Sequence, residues 1–424
     1  MRRLVRASLL EALGDTTSRT VLPLLAVSVL GAGTGFVGVL NALGLVAFLV
    51  FGAPPGAAAD RWQPARLMVA STLARAAMAT FGLVAWTCGL LGGPADKAVL
   101  LCMAVIIGVS DVAYATARGS LIPRLVEADG VRAAFGRVQT ASQAGGLVAP
   151  VVLAAMLVAA PTPAAWGLAI VAYLSSALAQ RAIPAAPVGT NPRSTDAHAA
   201  THVAPVAAGA NPPATGTPGA TLWRAARTDL MGQPVLRTVT LANAFANSAA
   251  MAANTLLPVV ALTTLGLPPA SYALLGTVGA IAGIAGAATA SRMTARLGLR
   301  ATRSQGAACL VAGAATVAVL TTGTLPGSAL LWLSAQSALA AIGISLMMIS
   351  GSDLPARLVP PERLGAATGA QQAVVVGVMP LAALGFGALG SASPAAATVA
   401  WALCAAAALT LSLALPRAGQ ESRG

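Results

Sequence analysis

The stretch Gly119-Ser120-Leu121-Ile122-Pro123-Arg124-Leu125-Val126 returns as Gly351-Ser352-Asp353-Leu354-Pro355-Ala356-Arg357-Leu358-Val359, with one residue inserted. The offset is about 232 residues, and each copy is followed by an acidic residue, a short polar turn and a further apolar run. Near the starts of the two halves, Leu22-Pro23-Leu24 is echoed by Leu257-Pro258-Val259. A chain built twice from one plan is the arrangement of transporters with a central pathway.

The composition sets the medium in which this duplicated chain folds. Of 424 residues, 57% are hydrophobic and 9% charged, with a mean hydropathy of +0.80. Soluble domains carry about a quarter charged residues, and so high an apolar content excludes disorder over most of the length. Apolar runs of helical-span length recur throughout, whereas the short alternating segments of a transmembrane barrel are missing. The fold expected is an all-α polytopic membrane protein. Twelve spans are predicted at roughly 8–30, 35–57, 67–91, 97–118, 135–160 and 163–182, then 236–264, 270–291, 302–323, 327–350, 366–389 and 393–415. The basic N-terminus resembles a signal peptide, but Glu11 and Asp15 interrupt its apolar region, so it reads as a retained first span.

The 25 basic residues outnumber the 12 acidic ones, for a net charge of +13. Alternate connections collect the arginines: Arg2, Arg3 and Arg6; Arg61 and Arg66; Arg124, Arg132 and Arg137; Arg181 to Arg237; Arg292, Arg296, Arg300 and Arg303; Arg357 and Arg363; Arg417 and Arg423. The intervening connections hold none, and Lys97 is the exception. Basic loops stay on the cytoplasmic side. Both termini are therefore expected there, with an even number of spans in a bacterial cytoplasmic membrane. This asymmetry accounts for the charge without a nucleic-acid partner. Residues 184–225 are rich in Pro, Thr, Ala, Asn and Gly and read as a flexible cytoplasmic linker. It would separate six-helix bundles at 1–183 and 226–424.

Ionisable groups inside spans need partners or functions, because each costs about 2.5–3.5 kcal/mol even on a lenient scale. Glu11, Asp15 and Arg19 recur at i, i+4 and i+8 and so form one stripe on the first span. Asn243 and Asn247 occupy the matching places of the seventh span, which suggests a shared polar cavity. The stripe supports two readings. It is either a silent Asp15–Arg19 bridge with Glu11 reaching the interface, or a proton-coupling group, since burial favours the neutral acid and a guanidinium the carboxylate. Asp111 in the fourth span is a third candidate. Arg75 in the third span is either a charge partner, like Arg19, or an anion site. Gln143, Gln371 and Trp332 join Asn243 and Asn247 as expected cavity and substrate contacts. The four cysteines are dispersed in apolar runs, His198 and His202 lie in the linker stretch, and neither set suggests a metal or disulfide. No P-loop, HExxH or GxSxG pattern is present, so neither catalytic residues nor a cofactor are expected.

After the second predicted span stands Gly56-Ala57-Ala58-Ala59-Asp60-Arg61-Trp62-Gln63-Pro64-Ala65-Arg66. It resembles the loop pattern of the major facilitator superfamily: Gly, three residues, Asp-Arg, then a further basic residue. The Pro-Arg-Leu-Val segments and Asp229–Arg237 are similar to the subgroup of bacterial drug and siderophore exporters. The resemblance implies that Gly56, Asp60, Arg61 and Arg66 form a cytoplasmic gate loop. Asp60 would meet the N-terminal end of the eleventh span near 364–367. The second-half loop, Ser291 to Arg296, keeps the arginines but lacks the acid. Many drug–proton antiporters carry a buried arginine in the fourth span, followed by a Gly; here Gly108 is present without an arginine at 99–117, and Asp111 stands as a substitute. Gly145 and Pro150 keep the frame of the exporters' fifth-span motif, with Ala149, Leu153 and Ala154 departing from it.

Together these readings predict a monomeric secondary transporter that exports an amphipathic small molecule by proton antiport. An uptake symporter or facilitator on the same fold, and a non-transporting membrane sensor or assembly subunit, are the alternatives.

Overall fold

A computed structural model describes residues 1–51, 63–89, 95–126, 130–183, 232–323, 327–359 and 364–416. Among the described residues, six α-helices lie in the first half: α1 (Arg2–Ser28), α2 (Thr34–Phe51), α3 (Pro64–Thr87), α4 (Ala95–Leu125), α5 (Val131–Ala159) and α6 (Trp166–Arg181). Six follow in the second. α7 spans Pro234–Val259, and a continuous run Pro269–Leu320 divides into α8 (269–297) and α9 (299–320). After these come α10 (Ala329–Ser350), α11 (Leu364–Ala392) and α12 (Pro394–Leu413). A one-turn helix, Leu354–Leu358, precedes α11. No strand occurs among the described residues. The fold is therefore the twelve-helix all-α membrane fold expected.

Simple backbone chemistry sets several boundaries. Proline is the first residue of α3, α7, α8 and α12, where its missing N–H costs nothing and its fixed φ suits the helix. Ser393 caps α12 by accepting a hydrogen bond from the Ala396 amide at 3.2 Å. Gly298 separates α8 from α9 with φ 83° and ψ 167°, a conformation that side-chain-bearing residues rarely adopt. Several helices outrun their predicted spans, α1 starting at residue 2 and α4 reaching 125. Hydropathy measures the oily middle of a helix, and the hydrogen-bond ladder carries on past it.

Nine helices among the described residues are long and apolar enough to cross a membrane. The 269–320 run is one of these nine and holds two spans. α1 falls outside that set because of its charges. Large apolar side chains face outward, among them Phe81, Val158, Val171, Leu178, Leu331, Leu381 and Leu403. Inside the helices, hydroxyls are returned to the backbone: Thr17 donates to the Leu13 carbonyl at 2.8 Å, Thr240 to Leu236 at 2.7 Å and Ser412 to Ala408 at 2.7 Å. Such back-bonding satisfies a hydroxyl where water is absent.

The chain divides into two compact units. One comprises Met1–Ala200 with Leu267–Thr277, the other Thr201–Gly266 with Val278–Gly424. Within the first unit, α1 packs on α5 and α6, α3 on α4 and α6, and α2 on α4. Within the second, α7 packs on α11 and α12. The inner prolines follow the same duplication: Pro23 and Pro150 interrupt α1 and α5, while Pro258 and Pro380 interrupt α7 and α11. Each removes a backbone donor from its helix. After Pro258 the chain makes one π-helical segment, Val260–Thr264.

Two apolar layers divide the first unit along its helices. One contains Leu4, Met68, Tyr114, Leu121 and Ile122, the other Val21, Leu25, Ala76, Met103, Trp166 and Tyr173. The stripe of α1, Arg75 of α3, Asp111 of α4 and Ser176 of α6 fall between them in sequence on all four helices.

Candidate functional site

A charged cluster occupies that middle layer. From α1, Glu11, Asp15 and Arg19 project on successive turns, as their spacing requires. The Arg75 guanidinium, 1% exposed, reaches across from α3. Its Nη2 donates to Glu11 Oε1, and its Nη1 donates to Asp111 Oδ1 at 2.5 Å. Arg19 Nε donates to Asp15 Oδ2 at 2.9 Å, and its Nη2 donates to Asp111 Oδ2. Asp111 is thus held by both arginines, one on each oxygen.

Neutral groups complete the enclosure of Glu11. Its Oε2 accepts from Ser176 Oγ at 2.6 Å, Thr72 Oγ1 at 3.0 Å and Gln180 Nε2 at 3.3 Å. Gln180 Nε2 also lies 3.0 Å from Thr72 Oγ1 and 2.9 Å from Ser176 Oγ. The guanidinium of Arg75 lies 5.1 Å from the ring centre of Tyr114 and 5.2 Å from that of Tyr173. At these separations ring faces attract a cation. Tyr173 in turn donates to Ser18 Oγ at 3.1 Å, and its ring packs against the bare backbone of Gly14.

Asp15 differs from the other two acids. Its side chain is 27% exposed, against 4% for Glu11 and 10% for Asp111. Its Oδ1 has no hydrogen-bond partner and lies 4.0 Å from Arg75 Nη1. Three carboxylates meet two guanidiniums, so the five groups sum to −1 when every acid is ionised. Arg118, the next cation along α4, donates to Ser142 Oγ at 3.3 Å and lies 5.7 Å from the Tyr114 ring centre, without an ion pair among the described residues.

The structure therefore brings Glu11, Asp15, Asp111, Arg19 and Arg75 into one network. The spacing on α1 announces three of its members, Glu11, Asp15 and Arg19. The meeting of Arg75 with Glu11 and Asp111 depends on how three helices dock, which the sequence does not state. Thr72, Ser176, Gln180, Tyr114 and Tyr173 were missed. Ser176 and Gln180 stand one turn apart on a mostly apolar helix, which is the signal that could have found two of them.

The second unit holds a different arrangement. Arg303, which the loop reading placed among surface arginines, is fully buried near the start of α9. As the second residue of the predicted ninth span it is marked as a helix residue. It donates through Nη2 to Asn243 Oδ1 at 2.6 Å and through Nη1 to the Met347 carbonyl at 2.5 Å. The pair Arg303 and Asn243 thus parallels Arg75 and Glu11, with an amide replacing the acid. Asn247 is buried and donates to the Val375 carbonyl at 3.3 Å, one turn beyond Gln371. Trp332 lies at the opposite end of α10 from Met347, so it does not join the Asn243 group. Gln143 is exposed on α5, in the other unit.

Of the predicted gate loop, Gly56, Asp60 and Arg61 lie outside the described residues. Arg66 is exposed in the first turn of α3. Asp353 forms an exposed ion pair with Arg357 at 2.6 Å. Lys97, the exception to the arginine pattern, places its ammonium 6.0 Å from the ring centre of Phe36. No group of three or more metal-ligating side chains occurs among the described residues.

Two bundles of six spans with a buried charge network define a membrane transporter of the major facilitator fold. The sequence profile of the Major Facilitator Superfamily matches residues 5–384, and the chain belongs to that family. Among solved structures, the nucleoside transporter NupG is similar over 98% of both chains, with a TM-score of 0.71 and 12% identity. A bacterial homologue of the iron transporter ferroportin, in its inward-facing state, matches over 97% of this chain and 98% of its own, at a TM-score of 0.69 and 16% identity. A POT family transporter in complex with 5-aminolevulinic acid covers 97% of this chain and 94% of its own, at 0.67 and 13%. These likenesses establish the fold. No curated protein matches the chain by sequence.

Proposed function

We propose that this transporter exports an amphipathic small molecule from the bacterial cytoplasm in exchange for protons, with Asp15 as the coupling acid. The observation that carries the reading is the odd charge of the Glu11–Asp15–Asp111–Arg19–Arg75 cluster, combined with the Asp15 oxygen that has no hydrogen-bond partner and only a 4.0 Å approach to Arg75. An unbalanced charge in the membrane is costly, so the cluster gains by holding one proton. Movement of Arg19 or Arg75 relative to Asp15 changes the field at that carboxylate. A change of conformation can therefore alternate uptake and release. Glu11, sequestered by Arg75 and three neutral donors, serves as the fixed counter-charge, and Asp111 ties the two arginines together.

In the proposed cycle Asp15 is protonated from outside and deprotonated towards the cytoplasm as cargo loads. Alternating access would run between bundles 1–183 and 226–424, joined by the 184–225 linker, with both termini cytoplasmic. The gate loop Gly56, Asp60, Arg61 and Arg66 would close the cytoplasmic side. Asn243, Asn247, Gln143, Gln371 and Trp332 remain the proposed cargo contacts, and the working unit is a monomer.

The test is cargo uptake into inverted vesicles carrying D15N. Acidifying the lumen should drive accumulation by the parent chain and none by D15N, which should still exchange cargo at equilibrium. Full gradient-driven accumulation by D15N removes Asp15 from the cycle. Accumulation only under the reverse gradient identifies an uptake symporter instead.

A further inference from the structure

We propose a second binding site, for a phosphate-bearing anion, in the cleft between the N-terminal end of α1 and the N-terminal half of α5. Arg2 and Arg6 stand one turn apart on α1, and Arg137 faces them from α5, around a cleft of about 700 Å3. The other lining side chains, including Met1, Val5, Gly136, Thr140 and Ala141, are uncharged, with no carboxylate among the described residues. None of the three arginines makes an ion pair among the described residues. Arg3, between Arg2 and Arg6 in sequence, is turned away and donates to the Ala182 carbonyl at the end of α6.

The convergence requires explanation beyond the rule that places arginines on one side of a membrane. That rule is met by counting residues near the span ends, as exposed Arg66, Arg292 and Arg296 meet it. It does not gather three guanidiniums around one recess, where they repel one another. A recess lined by one sign of charge concentrates the opposite ion. Arginine forks match the oxygens of phosphate in paired hydrogen bonds. The cleft has the volume of sites that hold ligands of small-molecule size, so it accommodates a phosphate together with the group it esterifies. That phosphate is carried by a lipid headgroup or by a soluble molecule. The site requires no part of the proton cycle and stands even if Asp15 is idle.

The experiment uses the purified full chain with two probes: phosphatidylglycerol, scored against phosphatidylcholine by native mass spectrometry, and inorganic phosphate, scored by thermal shift against chloride at equal ionic strength. Two variants attack the cleft differently. R6Q/R137Q removes charge and keeps shape. G136L keeps charge and fills space, and its Cβ would meet nothing within 4 Å. R296Q is the control. Affinity for at least one probe should fall about tenfold or more in both cleft variants, and stay unchanged in the control. Loss confined to phosphatidylglycerol assigns the site to a headgroup, and loss extending to inorganic phosphate assigns it to a soluble anion. The proposal is overturned if the parent binds neither probe, if either folded cleft variant binds both as the parent does, or if R296Q weakens binding equally.

Discussion

Replacing Arg75 by methionine keeps much of the side chain's volume and removes its charge. Glu11, 4% exposed, then keeps Ser176, Thr72 and Gln180, because Arg75 is its sole cationic partner among the described residues. Asp111 retains Arg19. The dominant loss is thus one uncompensated buried carboxylate, and breaking such a pair from one side costs about 3–5 kcal/mol. E11Q alone leaves Arg75 on Asp111 and an amide on the neutral donors, for a cost of about 1–3 kcal/mol. In the double variant R75M/E11Q no charge at position 11 remains unpaired. Its destabilisation should fall below that of R75M alone, giving a coupling of about 2 kcal/mol or more across the cycle. The measurement is unfolding in mixed micelles of increasing sodium dodecyl sulfate fraction, followed by tryptophan fluorescence for all four proteins. Single costs that add to the double within about 0.5 kcal/mol would refute the picture of Arg75 as the counter-ion of Glu11.

The remaining predictions concern packing, the second unit and current. G145A should destabilise by about 1–3 kcal/mol or prevent folding, since a methyl there runs into the Leu9 carbonyl and Ala12, whereas G146A, which meets only Thr16 Oγ1 at 3.5 Å, should match or exceed the parent in a thermal melt. N243A deprives buried Arg303 of its side-chain acceptor and should cost about 1.5–3 kcal/mol. N243D supplies that cation with a carboxylate and should melt above the parent; a melting point below it would contradict the assigned contact. Transport of a neutral cargo by the parent should produce a transient current on a solid-supported membrane, and D15N should produce none.

The fold was legible because its determinants are local and repeated. The apolar runs, the repeated segments and the arginine pattern each report on a few neighbouring residues. Where boundaries moved, as at the start of α1 and the end of α4, the helix continues into polar surroundings that a hydropathy count cannot follow. The candidate site was legible along one helix only. Glu11, Asp15 and Arg19 announce a shared face through their spacing. Pairing Arg75 with Glu11 is set by the docking of α3 against α6 and of α6 against α1, a property of many apolar contacts at once. Arg303 illustrates the same limit: an arginine near a span end reads as a surface cation until the helix around it closes.

Three acids and two guanidiniums also determine what drives the proposed machine. Loading one proton brings the cluster to electrical neutrality, and releasing it restores a net negative centre. A turnover that exchanges one proton for an uncharged cargo therefore carries one elementary charge across the bilayer. Each 100 mV of membrane potential then contributes about 2.3 kcal/mol to export, and a cell whose two sides share the same acidity can still power the pump by voltage alone.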